Sequence, residues 1–292
     1  MGMGRDLFDR SATGRECFES AGRVLGTDIA SICFDGPENK LKETRYTQPA
    51  LVVHSTIACR LLAERGIHAD CAAGHSLGEF SALIAAGALS FENGLELVRE
   101  RSLLMQDSGS ARPGAMAAVI GLSPDKVEGI CREAQDAGLV HPANYNSPEQ
   151  TVISGSPEGV ARALEIARQK GAKRVVELAV SGAFHSPLMD EAARNFNRRL
   201  EQTVFERPSI PVYSNFSASG SADPSVLREN TGRQMTSPVR WVETVQAMMR
   251  DGVTRFYEAG PGKVLAGLVK RIDRNAEVIP CGSWDEIAAA PL

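Results

Sequence analysis

Residues 68–90 read HADCAAGHSLGEFSALIAAGALS, and this stretch decides the fold. His68–Ala73 is expected as a short strand, Gly74-His75-Ser76-Leu77-Gly78 as a tight turn, and the apolar run from Phe80 as a helix. A G-x-S-x-G pentapeptide can arise by chance in a chain with 27 glycines. Between a strand and a helix it reads as a nucleophile elbow, where small residues let the backbone hold a serine hydroxyl above a sheet. The helix beyond it turns N–H groups and a positive dipole end toward a developing oxyanion.

Upstream, Pro49–Arg65 (PALVVHSTIACRLLAER) is apolar almost all round and is expected as a buried helix ended by Gly66. Downstream, Ser90 is placed to cap a helix Phe91–Gln106, and Asp107–Gly114 (DSGSARPG) reads as a loop. After that loop the texture changes. AMAAVIGL, a helix capped by Ser123 with Pro124 first, ANYN, QTVISG, the helix PEGVARALEIARQKG and the strand RVVELAV follow in the order βαββαβ. Residues 115–180 therefore read as an inserted ferredoxin-like small domain. The large domain, 1–114 and 181–292, resumes at SGAFHSPLM with a helix to about Val204. IPVYSN, a helix Trp241–Arg250, TRFYEAG and a GPGK turn before KVLAGLVKRI complete it. The alternation implies an α/β class: an α/β-hydrolase-like domain with a mainly parallel sheet, plus the small insert.

The 292 residues are 43% hydrophobic, and 32 Lys and Arg against 36 Asp and Glu leave a net charge of −4. That balance offers no general attraction to nucleic acid or to a membrane surface. No apolar run approaches the roughly 18 residues of a spanning helix, and the charged N-terminus suits neither a signal peptide nor a myristoylation signal. Cys17, Cys33, Cys59, Cys71, Cys131 and Cys281 are scattered, with no CxxC and no His pair at metal spacing. A reduced, cytoplasmic protein without structural zinc is expected.

A nucleophilic serine needs a base. Of five histidines, His54 is expected as a satisfied core residue, and His68 and His141 as solvated turn residues. His75 belongs to the elbow and follows its own strand direction. His185, between a strand and a helix, is best placed to reach across a cleft. An α/β-hydrolase keeps its histidine near the chain end, whereas a long stretch follows His185 here. Arg101, one helix beyond the elbow, reads either as a surface arginine or as a guanidinium facing the serine, suited to gripping a carboxylate.

GHSLGEFSALIAAGALSFENGLELVRERSLLMQ, GAMAAVIGL, NYNSPEQTVISG, GAKRVVELAVSGAFHSPLM, SPVRW and YEAGPGKVLAGLVKRI together resemble the malonyl-CoA:acyl carrier protein transacylases of bacterial fatty-acid synthesis. The likeness is collinear and spans nearly the whole chain. It implies that Ser76 carries a malonyl ester, and that His185 activates first this serine and then the carrier's phosphopantetheine thiol. It also implies that Arg101 pairs with the malonyl carboxylate, that the Leu77 N–H serves the oxyanion hole, and that the Gln234 carbonyl orients His185. Phe184, in GAFH, would crowd an α-methyl branch. The implied reaction is ping-pong transfer with malonyl-CoA and acyl carrier protein as partners, no cofactor or metal, and a cytoplasmic monomer. An acyl group without a carboxylate is expected to leave the guanidinium unpaired at roughly 2–5 kcal/mol, about 30-fold to several thousand-fold.

A trans-acting polyketide acyltransferase, a serine thioesterase and an inactive paralogue that binds carrier without turnover remain open readings of the same residues. RQKGAKR and KRIDR read as solvated faces or as docking surfaces for an acidic carrier. GPGK lacks P-loop spacing and reads as a helix-starting turn. Proteins of this family open on an apolar strand and a Gly-Gln-Gly-Ser-Gln turn, whereas this sequence opens at MGMGRDL. The expectation is a late-called start, with the strand and a second oxyanion donor encoded upstream. Loss of one such donor costs about 10²–10³ in rate.

Overall fold

The computed structural model describes residues 1–111, 113–180 and 182–292. Its first third is helical. Ser11 caps helix Ala12–Leu25 by accepting from Gly14 N, and the helix buries Cys17, Phe18 and Ala21 along one face. The next long helix is Thr44–Glu64, which starts five residues before the expected Pro49 and takes that proline inside. Thr47 Oγ1 donates to Glu43 O in its first turn. Ala50, Val52, Val53, Ile57 and Ala58 are wholly buried, so packing outweighs the proline's missing hydrogen bond.

The strands are β1 (Ala72–Ala73), β2 (Ala115–Ile120), β3 (Val140–Ser147), β4 (Gln150–Gly155), β5 (Arg174–Glu177), β6 (Val212–Tyr213), β7 (Gly220–Ser221), β8 (Arg255–Glu258) and β9 (Glu277–Pro280). They form three sheets, ordered β1-β6-β7, β3-β4-β2-β5 and β8-β9. The pairs β1–β6 and β8–β9 are parallel, and β6–β7 is antiparallel. The expected mainly parallel sheet is thus present as short pieces. Its first strand contracts to two residues because His68, Ala69 and Asp70 are exposed and pair with nothing regular. Ala72 and Ala73 register with Val212 and Tyr213.

Helix Phe91–Ala111 opens on Ser90, whose Oγ accepts from Asn93 N. It runs through most of the segment expected as a loop, with Ser110 Oγ donating back to Gln106 O in the extra turn. The four-stranded sheet is wholly antiparallel. Helices Pro124–Glu133 and Pro157–Gln169 cover it and close a separate core around Ala117, Val119, Ile130, Ile153 and Leu164. His141, expected in a turn, lies half-buried in β3 with Nε2 unpartnered. Pro142 and Asn144 disguise that strand as turn text, and β3 is irregular at both. His54 is buried as expected, but its Nδ1 has no partner. The chain is a mixed α/β protein, rich in helix. Among the described residues no helix is long and apolar enough to cross a membrane, and no cluster of His, Cys, Asp or Glu could hold a metal.

Candidate active site

Ser76 sits between β1 and helix Gly78–Ala85 with φ +50°, a left-handed backbone that a side chain rarely adopts. Gly74 makes the turn possible: a Cβ there would lie 2.0 Å from the backbone of Gly78. Gly78 itself has open space where a Cβ would go, so the two glycines of the motif are not equivalent. Both polar atoms of the Ser76 backbone are held. Its N–H donates to Asn215 Oδ1 at 2.6 Å, and its carbonyl accepts from Gln234 Nε2 at 3.0 Å.

His185 lies in the predicted place, buried, also with positive φ (+57°), and its Nε2 is 2.8 Å from Ser76 Oγ. Nδ1 is 3.0 Å from the Gln234 carbonyl and 3.2 Å from the Ser237 carbonyl. Carbonyls only accept, so the proton belongs on Nδ1 and the Nε2 lone pair faces the serine. Burial, and after it the Arg101 charge, pushes the imidazole down to about 3. It is therefore neutral, the form a general base requires.

Arg101 is not a surface residue; only 1% of it is exposed. Nη1 donates to Gln48 Oε1 at 2.7 Å, and Nη2 to Gln234 Oε1 and to Ser76 Oγ, both at 3.1 Å. All three acceptors are neutral. Burial lowers the guanidinium to about 10, while the Glu79 carboxylate acts in the opposite sense, so it stays charged at neutral pH. A buried cation beside a serine hydroxyl, with only neutral hydrogen-bond partners among the described residues, is suited to pairing with a carboxylate brought by a ligand.

Leu77 follows Ser76 at the opening of helix Gly78–Ala85 and is nearly buried. Phe184 is half-buried, against both the main core and the small cluster of Met116, Ala118, Ala143 and Val152. The Gln234 side chain does more than the expected carbonyl alone, touching Arg101, Ser76 and Glu79. His75 points away from the serine, as expected, with Nε2 2.7 Å from Asn146 Oδ1 and its ring edge-on to Trp241. The structure adds Gln48, Glu79, Asn215 and Ser237 to the residues expected from the sequence. Glu79 alone carries a local signal, three residues after the serine.

The chain matches the acyl transferase domain family over residues 1–282. It belongs to that family. It is 40% identical over 291 residues to the malonyl CoA-acyl carrier protein transacylase of Bacillus subtilis, covering 99% of this chain and 92% of that one. Identity to the Staphylococcus aureus enzyme of the same name is 39% over 288 residues, with coverage of 98% and 93%. Among solved family structures, the malonyl CoA-acyl carrier protein transacylase of Coxiella burnetii superposes with a TM-score of 0.96 at 38% identity, covering 99% and 92%. A malonyl-transacylase in complex with a type II PKS acyl-carrier protein gives 0.95 at 38%, covering 99% and 94%.

Within this family member, the GPGK turn opens helix Val264–Ile272, with both Glu258 carboxylate oxygens capping the N–H groups of Leu265 and Ala266. Within the basic clusters, Lys170 pairs with Glu133, Lys173 with Glu149, and Arg271 donates to Gln150 Oε1 at the surface.

Proposed function

We propose that this chain moves a malonyl group from malonyl-CoA to the phosphopantetheine thiol of an acyl carrier protein, through a malonyl ester on Ser76. The observation that carries the reading is Arg101: a buried guanidinium 3.1 Å from the nucleophile, with neutral acceptors only. In the first half-reaction Ser76 Oγ attacks the thioester carbonyl as its proton passes to His185 Nε2. The tetrahedral oxyanion gathers at the Leu77 N–H, the C–S bond breaks, and the proton leaves with CoA. In the second, His185 takes the proton of the carrier thiol, the sulfur attacks the ester, and Ser76 leaves with that proton. The Gln234 and Ser237 carbonyls keep the imidazole in its working tautomer throughout, without a triad carboxylate.

The neutral partners of Arg101 reduce the expected selectivity. An acetyl group would leave the guanidinium as satisfied as it is at rest. Discrimination then rests on the ionic hydrogen bonds a carboxylate adds, about 1.5–3 kcal/mol each, or roughly 10- to 150-fold. Phe184, beside His185, crowds an α-branch and favours malonyl over methylmalonyl. The order β3-β4-β2-β5 supports a ferredoxin-like small domain at 115–180 within an α/β-hydrolase-like large domain at 1–114 and 181–292. The reading takes the protein as a cytoplasmic monomer that needs no cofactor, metal, membrane or nucleic acid. Its test is transfer of labelled malonyl from CoA to holo-carrier, with mass spectrometry of the acylated peptide. A malonyl adduct on the parent chain, absent from Ser76→Ala, is expected; an undiminished adduct on that variant overturns it.

A further inference from the structure

Resting on the reading of Ser76 as nucleophile, we propose that Glu79 is the positioning residue that holds the elbow, the base and the arginine in one register. Its side chain is wholly buried. A single oxygen, Oε2, accepts from Asn215 N at 3.0 Å and from Gln234 Nε2 at 2.8 Å. Those two residues clamp the left-handed Ser76 from opposite sides. Asn215 takes the serine N–H on Oδ1 and gives Nδ2 to the Gly74 carbonyl at 2.7 Å, closing the turn over itself. Gln234 gives Nε2 to the serine carbonyl, takes Arg101 Nη2 on Oε1, and turns its own carbonyl to His185 Nδ1. Glu79 therefore stands one hydrogen bond from each clamp and two from the Ser76 backbone, Arg101 and His185.

The two clamps come from distant parts of the chain, so local sequence cannot align them. The strained Ser76 backbone needs outside support to persist, and one acceptor shared between the two clamps supplies a common origin. The role assigned to Glu79 is one of reach. Its other oxygen, Oε1, is buried, and the neighbouring Ser214 hydroxyl favours the charged form of the carboxyl. An amide in place of the carboxylate keeps the shared acceptor and turns a donor toward Ser214 Oγ. Shortening the side chain by one methylene draws the acceptor back by about 1.5 Å, and a displacement near 1 Å can cost about 100-fold in rate.

The experiment compares Glu79→Gln with Glu79→Asp in the full chain, measuring kcat and KM for malonyl-CoA alongside melting temperature. Glu79→Gln is expected within about threefold of the parent in kcat, and Glu79→Asp about 100-fold down. KM should stay within threefold in both, because the lost alignment acts on the chemical step. The same order is expected in the rate at which a serine-directed sulfonyl fluoride labels Ser76, which reads the elbow without CoA or carrier. An active Asp beside an inactive Gln, two parent-like variants, or two equally impaired ones each overturn the proposal. If Glu79→Asp does not fold, Asn215→Ala breaks the chain one link nearer the serine with the same forecast, and an unchanged kcat there overturns it. Malonyl transfer that survives Ser76→Ala defeats the underlying reading; its loss beside a fully active Glu79→Asp defeats this inference alone.

Discussion

Replacing Arg101 with alanine removes a cation that stands beside the Ser76 hydroxyl and strips two buried amide oxygens, Gln48 Oε1 and Gln234 Oε1, of the donor they share. That second cost falls equally on every acyl donor, so it lowers overall activity without changing preference. The carboxylate contribution does not cancel. With about 1.5–3 kcal/mol for each ionic hydrogen bond, the ratio of kcat/KM for malonyl-CoA over acetyl-CoA should fall by roughly 10- to 150-fold for one bond, and further if both terminal nitrogens engage. The assay is the rate of acyl-Ser76 formation from each thioester, followed by intact-protein mass spectrometry before carrier is added. Taking a ratio of two substrates on one variant removes errors in active concentration and any general loss of alignment. A ratio within threefold of the parent would refute the reasoning, because the carboxylate would then be recognised elsewhere.

Burial and the Arg101 charge both hold His185 in its neutral form, so kcat/KM for malonyl-CoA should stay flat from pH 7 down to pH 5. An ordinary imidazole, near 6.5, would already be mostly protonated there; an acid limb centred near 6.5 would contradict the environment described for His185. Because Arg101 is the second cause of that depression, Arg101→Ala should move the acid limb upward in pH, and a downward shift would count against it. Gly74→Ala forces a Cβ into the Gly78 backbone and should cost about 1–3 kcal/mol of stability, with loss of Ser76 labelling. Gly78→Ala meets nothing and lies in a helix, where alanine is favoured by about 0.5–1 kcal/mol; a melting temperature several degrees below the parent would show that the space is not free.

What could be read from the sequence was what is local. The elbow needs a small residue before a serine and an apolar helix after it, all within a dozen positions, and Trp241–Arg250 carries its helical pattern in ten. Arg101 stayed ambiguous because LVRERS places arginines on both faces of one helix; the fold buries Arg101 and leaves Arg99 to reach Val24 O near the surface. Asn215 and Gln48 were not legible at all. Their partners lie 139 and 53 positions away, and a lone amide at the end of a strand or inside an apolar helix has no periodicity that marks it. Strand length failed for a related reason: whether His68–Asp70 extends β1 depends on a neighbouring strand to pair with, and local propensity does not contain that.

His185 shows why the antiparallel module bears on the proposed chemistry although none of the proposed reacting groups lies in it. Strand β3, at the edge of its sheet, also grips Val239 on its free side: Val239 N donates to Ala143 O at 2.8 Å, and Tyr145 N donates to Val239 O at 2.9 Å. Two residues before Val239 lies Ser237, whose carbonyl faces His185 Nδ1; two residues after it lies Trp241, against the His75 ring. His75 is then tied to Asn146, the residue after Tyr145 in the same β3. One strand thus sets both flanks of the serine–histidine pair, through Val239 on the side of the base and through Asn146 on the side of the elbow. A carboxylate in a triad orients its histidine partly by charge, which tolerates small errors of direction. A carbonyl orients only by hydrogen-bond geometry, which weakens steeply when misaligned. Holding the Gln234–Arg240 segment to a rigid sheet on one side, and to Glu79 through Gln234 on the other, is how this fold supplies the accuracy that the absence of an acid demands.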